Sequence, residues 1–284
     1  MRTRWKEVGL GLLTLLAALL AVGFSQQVFR KYLSASAGPL AVAAVFLLVY
    51  IAGARWIERR PVRELAPSRA VPELAAGLVT GFALFSSVMA ILWALGVYRF
   101  TGRGAGQGMA LGLALAIMSG VLEELLFRGI LFRLSARIVG TWGALAFTSL
   151  LFGLAHLGNR GATFSSGLSI VLEAGILLGA AYALTGRLWL PIGLHIAWNF
   201  TEGSVFGMSV SGNTNGLGFL AGSLSGPSLL TGGAFGPEAS IVAVVVCFVA
   251  AMLLLVRTVK LHRIDPPAWT PRPHTVDRLN PQPE

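Results

Sequence analysis

The stretch Leu122-Glu123-Glu124-Leu125-Leu126-Phe127-Arg128 lies inside an apolar segment that begins near Met109. Ionisable side chains are costly at membrane depth, and where they occur they face a bundle interior or a wet cavity. On a helix, Glu124 and Arg128 stand at i,i+4 and can pair. Glu123 sits about 100° around the axis from Glu124, which leaves its carboxylate available for chemistry. The same pair also reads as a buried ion pair that only fixes helix packing, and these residues alone do not separate the two readings.

Outward from that stretch, the 284 residues are 55% hydrophobic and 12% charged, about half the charged share of a soluble protein. Mean hydropathy is +0.74. Apolar runs of about 18 residues or more recur, so the predicted class is all-α: a polytopic integral membrane protein of about eight transmembrane helices around a polar intramembrane cavity. The predicted spans are 8–24, 38–54, 74–97, 107–134, 142–158, 168–186, 188–207 and 239–256. A net charge of +10 does not point to nucleic acid, because the basic residues sit in short links between apolar segments rather than on one face. The lone Cys247 excludes an intrachain disulfide and a cysteine cage for a metal.

The run from Val8 to Phe24 is longer than a signal-peptide core and lacks a small-x-small cleavage site, so it reads as a retained first span. With the N-terminus cytoplasmic, 17 of the 22 basic residues fall on the inner side. That bias predicts a multi-pass protein of the inner (plasma) membrane with both termini cytoplasmic. Residues 1–72 are predicted to form a two-helix preamble ending in the basic, Pro-punctuated link Arg55–Pro72, 73–258 the main helical bundle, and 259–284 a Pro-rich, disordered tail. Between Met208 and Pro237 the chain is rich in Gly, Ser and Thr without a charge, which suits a re-entrant or surface-hugging loop near the site.

Few groups in the apolar body can do chemistry: Glu123, Glu124, Arg128, His156, Glu173, His195 and Asn199, with Glu202 and Glu238 near the outer rim. Counted along helices from the inner turns, Glu124, His156, Glu173 and Asn199 all lie about 18–22 Å deep. His195 comes out shallower, at about 12 Å, so its helix must tilt or approach from one side. A carboxylate beside an imidazole can deprotonate water and return the proton to a leaving amine. His195 and Asn199 share a helical face and can donate to an oxyanion. Two histidines and a carboxylate could instead hold zinc, although the H-E-x-x-H spacing is missing. Glu173 reads equally as a structural acid.

Glu123-Glu124-x-x-x-Arg128, Phe152-x-x-x-His156 and His195-x-x-x-Asn199, in that order on successive hydrophobic helices, resemble the three motifs of the CPBP (Abi) family, which contains the type II CAAX prenyl endopeptidases. Leu188-Trp189-Leu190-Pro191 and Thr231–Glu238 add to the likeness. The resemblance implies an intramembrane glutamate-dependent endopeptidase. Glu123 and His156 would activate water, His195 and Asn199 would stabilise the oxyanion, and Glu124 and Arg128 would orient Glu123. It implies a membrane protein or peptide substrate within the lipid bilayer, with no nucleic acid, and leaves prenyl recognition and a divalent metal such as zinc open. The rival readings are a non-enzymatic immunity or scaffold factor and a proton-coupled transporter, the latter weakened because no internal repeat is visible.

Overall fold

Long runs of Leu, Ala and Val must satisfy their own backbone groups in a bilayer, and a helix does so within one segment. The computed structural model, which describes residues 2–104, 106, 108–213 and 218–270, is accordingly built from helices. These are α1 (Arg2–Tyr32), α2 (Ala37–Ala52), α3 (Ala70–Ala94), α4 (Met109–Glu124), α5 (Arg133–His156), α6 (Phe164–Ile170), α7 (Ile176–Thr185), α8 (Trp189–Phe200), α9 (Ser228–Thr231) and α10 (Ile241–Lys260). Leu20, Leu48, Val79 and Leu253 are among many large apolar side chains left on the outside, as expected where lipid is the solvent.

Among the described residues, six helical stretches are long and apolar enough to cross a membrane, where the sequence predicts about eight. The difference lies in two places. Met109–His156 is one stretch of 48 residues, yet it breaks at Gly140 (φ 73, ψ 178), and it carries both predicted spans 107–134 and 142–158. The predicted span 188–207 corresponds to α8 and a π turn over Thr201–Val205, 12 and 5 residues long, short of an average crossing.

The geometry of Gly140 is accessible essentially only to glycine. The turn it makes is clasped by the chain beyond α10: Thr141 N donates to Asp265 O (3.0 Å), Asp265 N donates to Thr141 Oγ1 (2.9 Å), and Ala268 N donates to Ile138 O (2.8 Å). The tail expected to be free from 259 onward is therefore docked as far as Ala268, because its backbone completes the polar groups that the break exposes. Residues 271–284 of that predicted tail lie outside the described residues.

The same end of the bundle carries a belt of paired charges. Arg137 pairs with Glu7 and Arg187 with Glu73. Arg133 Nη2 reaches Glu58 Oε2 at 2.7 Å, and Arg60 pairs with both Glu58 and Glu64 at 2.8 Å. Tyr50 shares its one hydroxyl proton between Glu64 and Gly129 O (3.1 Å), which ties α2 and the basic link to the segment following α4. Burial works to raise the Glu58 carboxyl, but the charges and hydrogen bonds of Arg133 and Arg60 outweigh it and hold the group below its ordinary value.

At the bundle centre, α8 is buried from Pro191 to Trp198. It crosses α3 closely because both carry glycine at the contact. A Cβ on Gly193 would stand 3.1 Å from Leu78 N, and one on Gly77 would stand 2.7 Å from Leu194 N. Small residues at such crossings let backbones approach and place the neighbouring side chains of α8 deep in the bundle. At the opposite end, β1 (Tyr98–Arg103) pairs antiparallel with β2 (Leu220–Leu224), with a bulge between Phe100 and Gly102. The segment read as a surface-hugging loop thus has structure of its own. It also sends Phe235 inward to pack with Phe127, Phe152 and Ile170.

Two outcomes are expected of this architecture. Gly140→Ala should lower the thermal unfolding midpoint in detergent, at a cost on the order of 1–3 kcal/mol. Glu58→Gln should melt below wild type at pH 7. A depressed folded-state value adds stability above the unfolded value of about 4 and loses it as pH falls further, so the gap between the two melting curves should close in acid.

Candidate active site

Three irregular turns shape the site. α4 passes into a π segment at Leu125–Phe132, α6 into one at Val171–Gly175, and α8 into the one at Thr201–Val205. Wide turns of this kind leave carbonyls without their usual helical partner and recur at functional sites. Arg128, wholly buried, uses two of them: its Nη2 donates to Gly175 O (3.1 Å) and Ala174 O (3.4 Å). Its Nη1 donates to Glu124 Oε1 at 2.8 Å, and the guanidinium lies 4.8 Å from the Phe152 ring centre. Glu124 Oε1 also bonds to His195 Nδ1 at 3.0 Å.

The predicted pair is therefore present, and its orienting contact runs to His195 on α8 rather than to Glu123. Arg128 and Glu124 have 0% side-chain exposure, whereas Glu123 keeps 30%, so among the three it is the wet one. Glu123 Oε2 lies 3.9 Å from His195 Nε2 and 4.0 Å from His156 Nε2 and has no hydrogen-bond partner. His156 Nδ1 is 2.7 Å from Phe152 O, which assigns its proton to Nδ1 and leaves a lone pair on Nε2. His195 likewise gives Nδ1–H to Glu124. Both rings thus aim Nε2 at one carboxylate oxygen, across gaps that suit a bridging molecule rather than a direct bond.

Asn199, one turn beyond His195, donates from Nδ2 to Ser119 Oγ at 3.0 Å. Glu123, His156, Asn199 and Ser119 line a cleft of about 430 Å³, together with Ser211 and Asn213 from the loop after α8. The shallow depth expected for His195 does not keep it from Glu124, since α8 packs closely on α4, where a Cβ on Gly120 would stand 3.2 Å from Ile196 N. Glu202 and Glu238, expected near the outer rim, are buried, because the β2-bearing loop folds back over that end. Ser119 and Ser211 had no sequence signal: each matters only through which helix or loop it faces. Glu173 lines a neighbouring cavity with His156 and His195, without an ion pair to either.

The donor set for a metal would be two Nε2 atoms and one carboxylate oxygen. In a tetrahedral site with bonds near 2.0 Å, neighbouring ligand atoms stand roughly 3.3 Å apart. The 3.9 and 4.0 Å separations are wider, and no group of His, Cys, Asp and Glu among the described residues is placed to hold an ion. The arrangement as it stands fits a water or a substrate oxygen better than zinc.

Residues 105–201 match the family model described as "Rce1-like: Type II CAAX prenyl endopeptidase Rce1-like". All six predicted site residues fall inside that range, and the match supports the CPBP/CAAX protease family for this chain. No curated protein matches the chain.

Arg128→Met should lower stability by about 3–5 kcal/mol, since it leaves a buried carboxylate without its counter-charge. Much of that loss should return in Arg128→Met combined with Glu124→Gln. Melting curves of the two variants in detergent measure both.

Proposed function

We propose that the protein is an intramembrane endopeptidase that hydrolyses peptide bonds of membrane-associated protein or peptide substrates. The family match supports a CAAX-type protease. The observation that carries the reading further is the unpartnered Glu123 Oε2, with two imidazole Nε2 atoms at 3.9 and 4.0 Å beside an open cleft.

In this reading a water sits between Glu123 Oε2 and His156 Nε2. The lone pair on Nε2 and the carboxylate both accept from it, and its oxygen attacks the scissile carbonyl as Glu123 takes the proton. The carbonyl oxygen gains charge and turns toward His195 and Asn199. Nδ1–H of His195 is held by Glu124, whose charge compensates a second proton on the ring, so Nε2–H can donate to the oxyanion. One amide hydrogen of Asn199 is spent on Ser119, and the other is left for the same oxygen. Glu123 then returns its proton to the departing amine. Arg128 fixes Glu124 and acts through it on His195. Both termini would face the cytoplasm, with the paired-charge belt at that surface.

Purified Glu123→Gln and His156→Ala should fold and show no proteolysis, and His195→Ala should lose on the order of 100-fold or more in kcat. Comparing membrane peptides from cells carrying wild type or Glu123→Gln should reveal a substrate that accumulates uncut. Normal turnover by Glu123→Gln would rule the mechanism out.

A further inference from the structure

A second, smaller cavity shares His156, Asn199 and Ser211 with the open cleft and is otherwise bounded by His195, Glu173, Glu238 and apolar side chains. Its volume is about 20 Å³, enough for about one water molecule. The acids on its far side have no part in the mechanism above. Glu238, on the turn Pro237–Ala239, and Glu202, on the π turn after α8, are both buried and near enough for each charge to act on the other. Glu238 shares the cavity wall with Ser211, and Glu173 lies near Cys247. The charged or titratable groups facing Glu238 are thus Glu202, Glu173, His156 and Cys247, with His195 on the wall of the same cavity.

Both Oε atoms of Glu202 and Oε1 of Glu238 lack a hydrogen-bond donor. A buried ionised carboxylate without a donor costs several kcal/mol, and two side by side cannot both stay ionised. One proton between them supplies the missing donor and the bond. Of the two acids, Glu238 stands on the wall of the cavity that His156 and His195 also line.

We infer that Glu238 is a positioning residue for the proposed hydrolysis: sharing one proton with Glu202, it holds a water in the inner cavity that fixes the partition of His156, Asn199 and Ser211. Only the catalytic consequence rests on the endopeptidase reading.

Infrared spectra of the protein in nanodiscs at pH 7 test the shared proton. The carbonyl stretch of a protonated carboxyl should persist in Glu123→Gln and lose intensity in Glu238→Gln and in Glu202→Gln. Glu238→Gln should reduce kcat on the order of 10–100-fold with KM within about twofold, and Glu238→Asp should restore part of it. If Glu238→Gln fails to fold, Ser211→Ala carries the same expectation for kcat. No infrared loss in either acid variant overturns the shared proton, and a wild-type rate in Glu238→Gln overturns the positioning role. A wild-type protein without peptidase activity sinks the endopeptidase reading and the positioning role with it, while the infrared result still decides the proton.

Discussion

The Glu124–Arg128 contact is the constraint around which the rest is arranged. Two full charges deep in a bundle are tolerated only when each finds further partners. Arg128 finds them in the carbonyls of Ala174 and Gly175, and Glu124 finds one in His195. The pair thereby fastens three elements at one level: the end of α4, the irregular turn after α6, and α8. A bilayer offers no water to replace any of these contacts, so the arrangement is fixed from several directions at once.

Glu123 next to it is free of such duties because of helix geometry. A residue adjacent to Glu124 projects about 100° away, out of the packed interface and into the cleft. Consecutive carboxylates thus stand in opposite surroundings, one dry and paired, the other part-exposed and facing two imidazoles. Phe152 serves both sides, lying against the Arg128 guanidinium and against the ring of His156 at 4.6 Å.

Much of this was legible in the sequence, and the reason is scarcity. In an apolar body with so few polar groups, Glu123, Glu124, Arg128, His156, His195 and Asn199 stand out, and helical rise alone brings most of them to a common depth. What stayed hidden depends on contacts between distant segments. The partner of Glu124 was unreadable because it depends on which helix packs on α4: α8 lies close against it at Gly120, which puts His195 beside the carboxylate. The irregular turns have no composition signal, since Leu125–Phe132 and Val171–Gly175 look like ordinary helix. Glu202 and Glu238 looked peripheral because a glycine-rich loop gives no hint that it folds inward. The docking of Asp265–Ala268 was likewise invisible in a proline-rich tail, being made by backbone groups.

The break at Gly140 makes one residue the fulcrum of two long arms, one ending at Glu123 and the other at His156. Each arm runs roughly 25 Å from the pivot, so a change of about two degrees between them shifts their far ends by about 1 Å. A misplacement of that size is enough to cost on the order of 100-fold in rate. The clasp of Asp265 and Ala268 on the fulcrum therefore gives the extreme carboxyl-terminal side of the chain mechanical leverage over atoms it never touches.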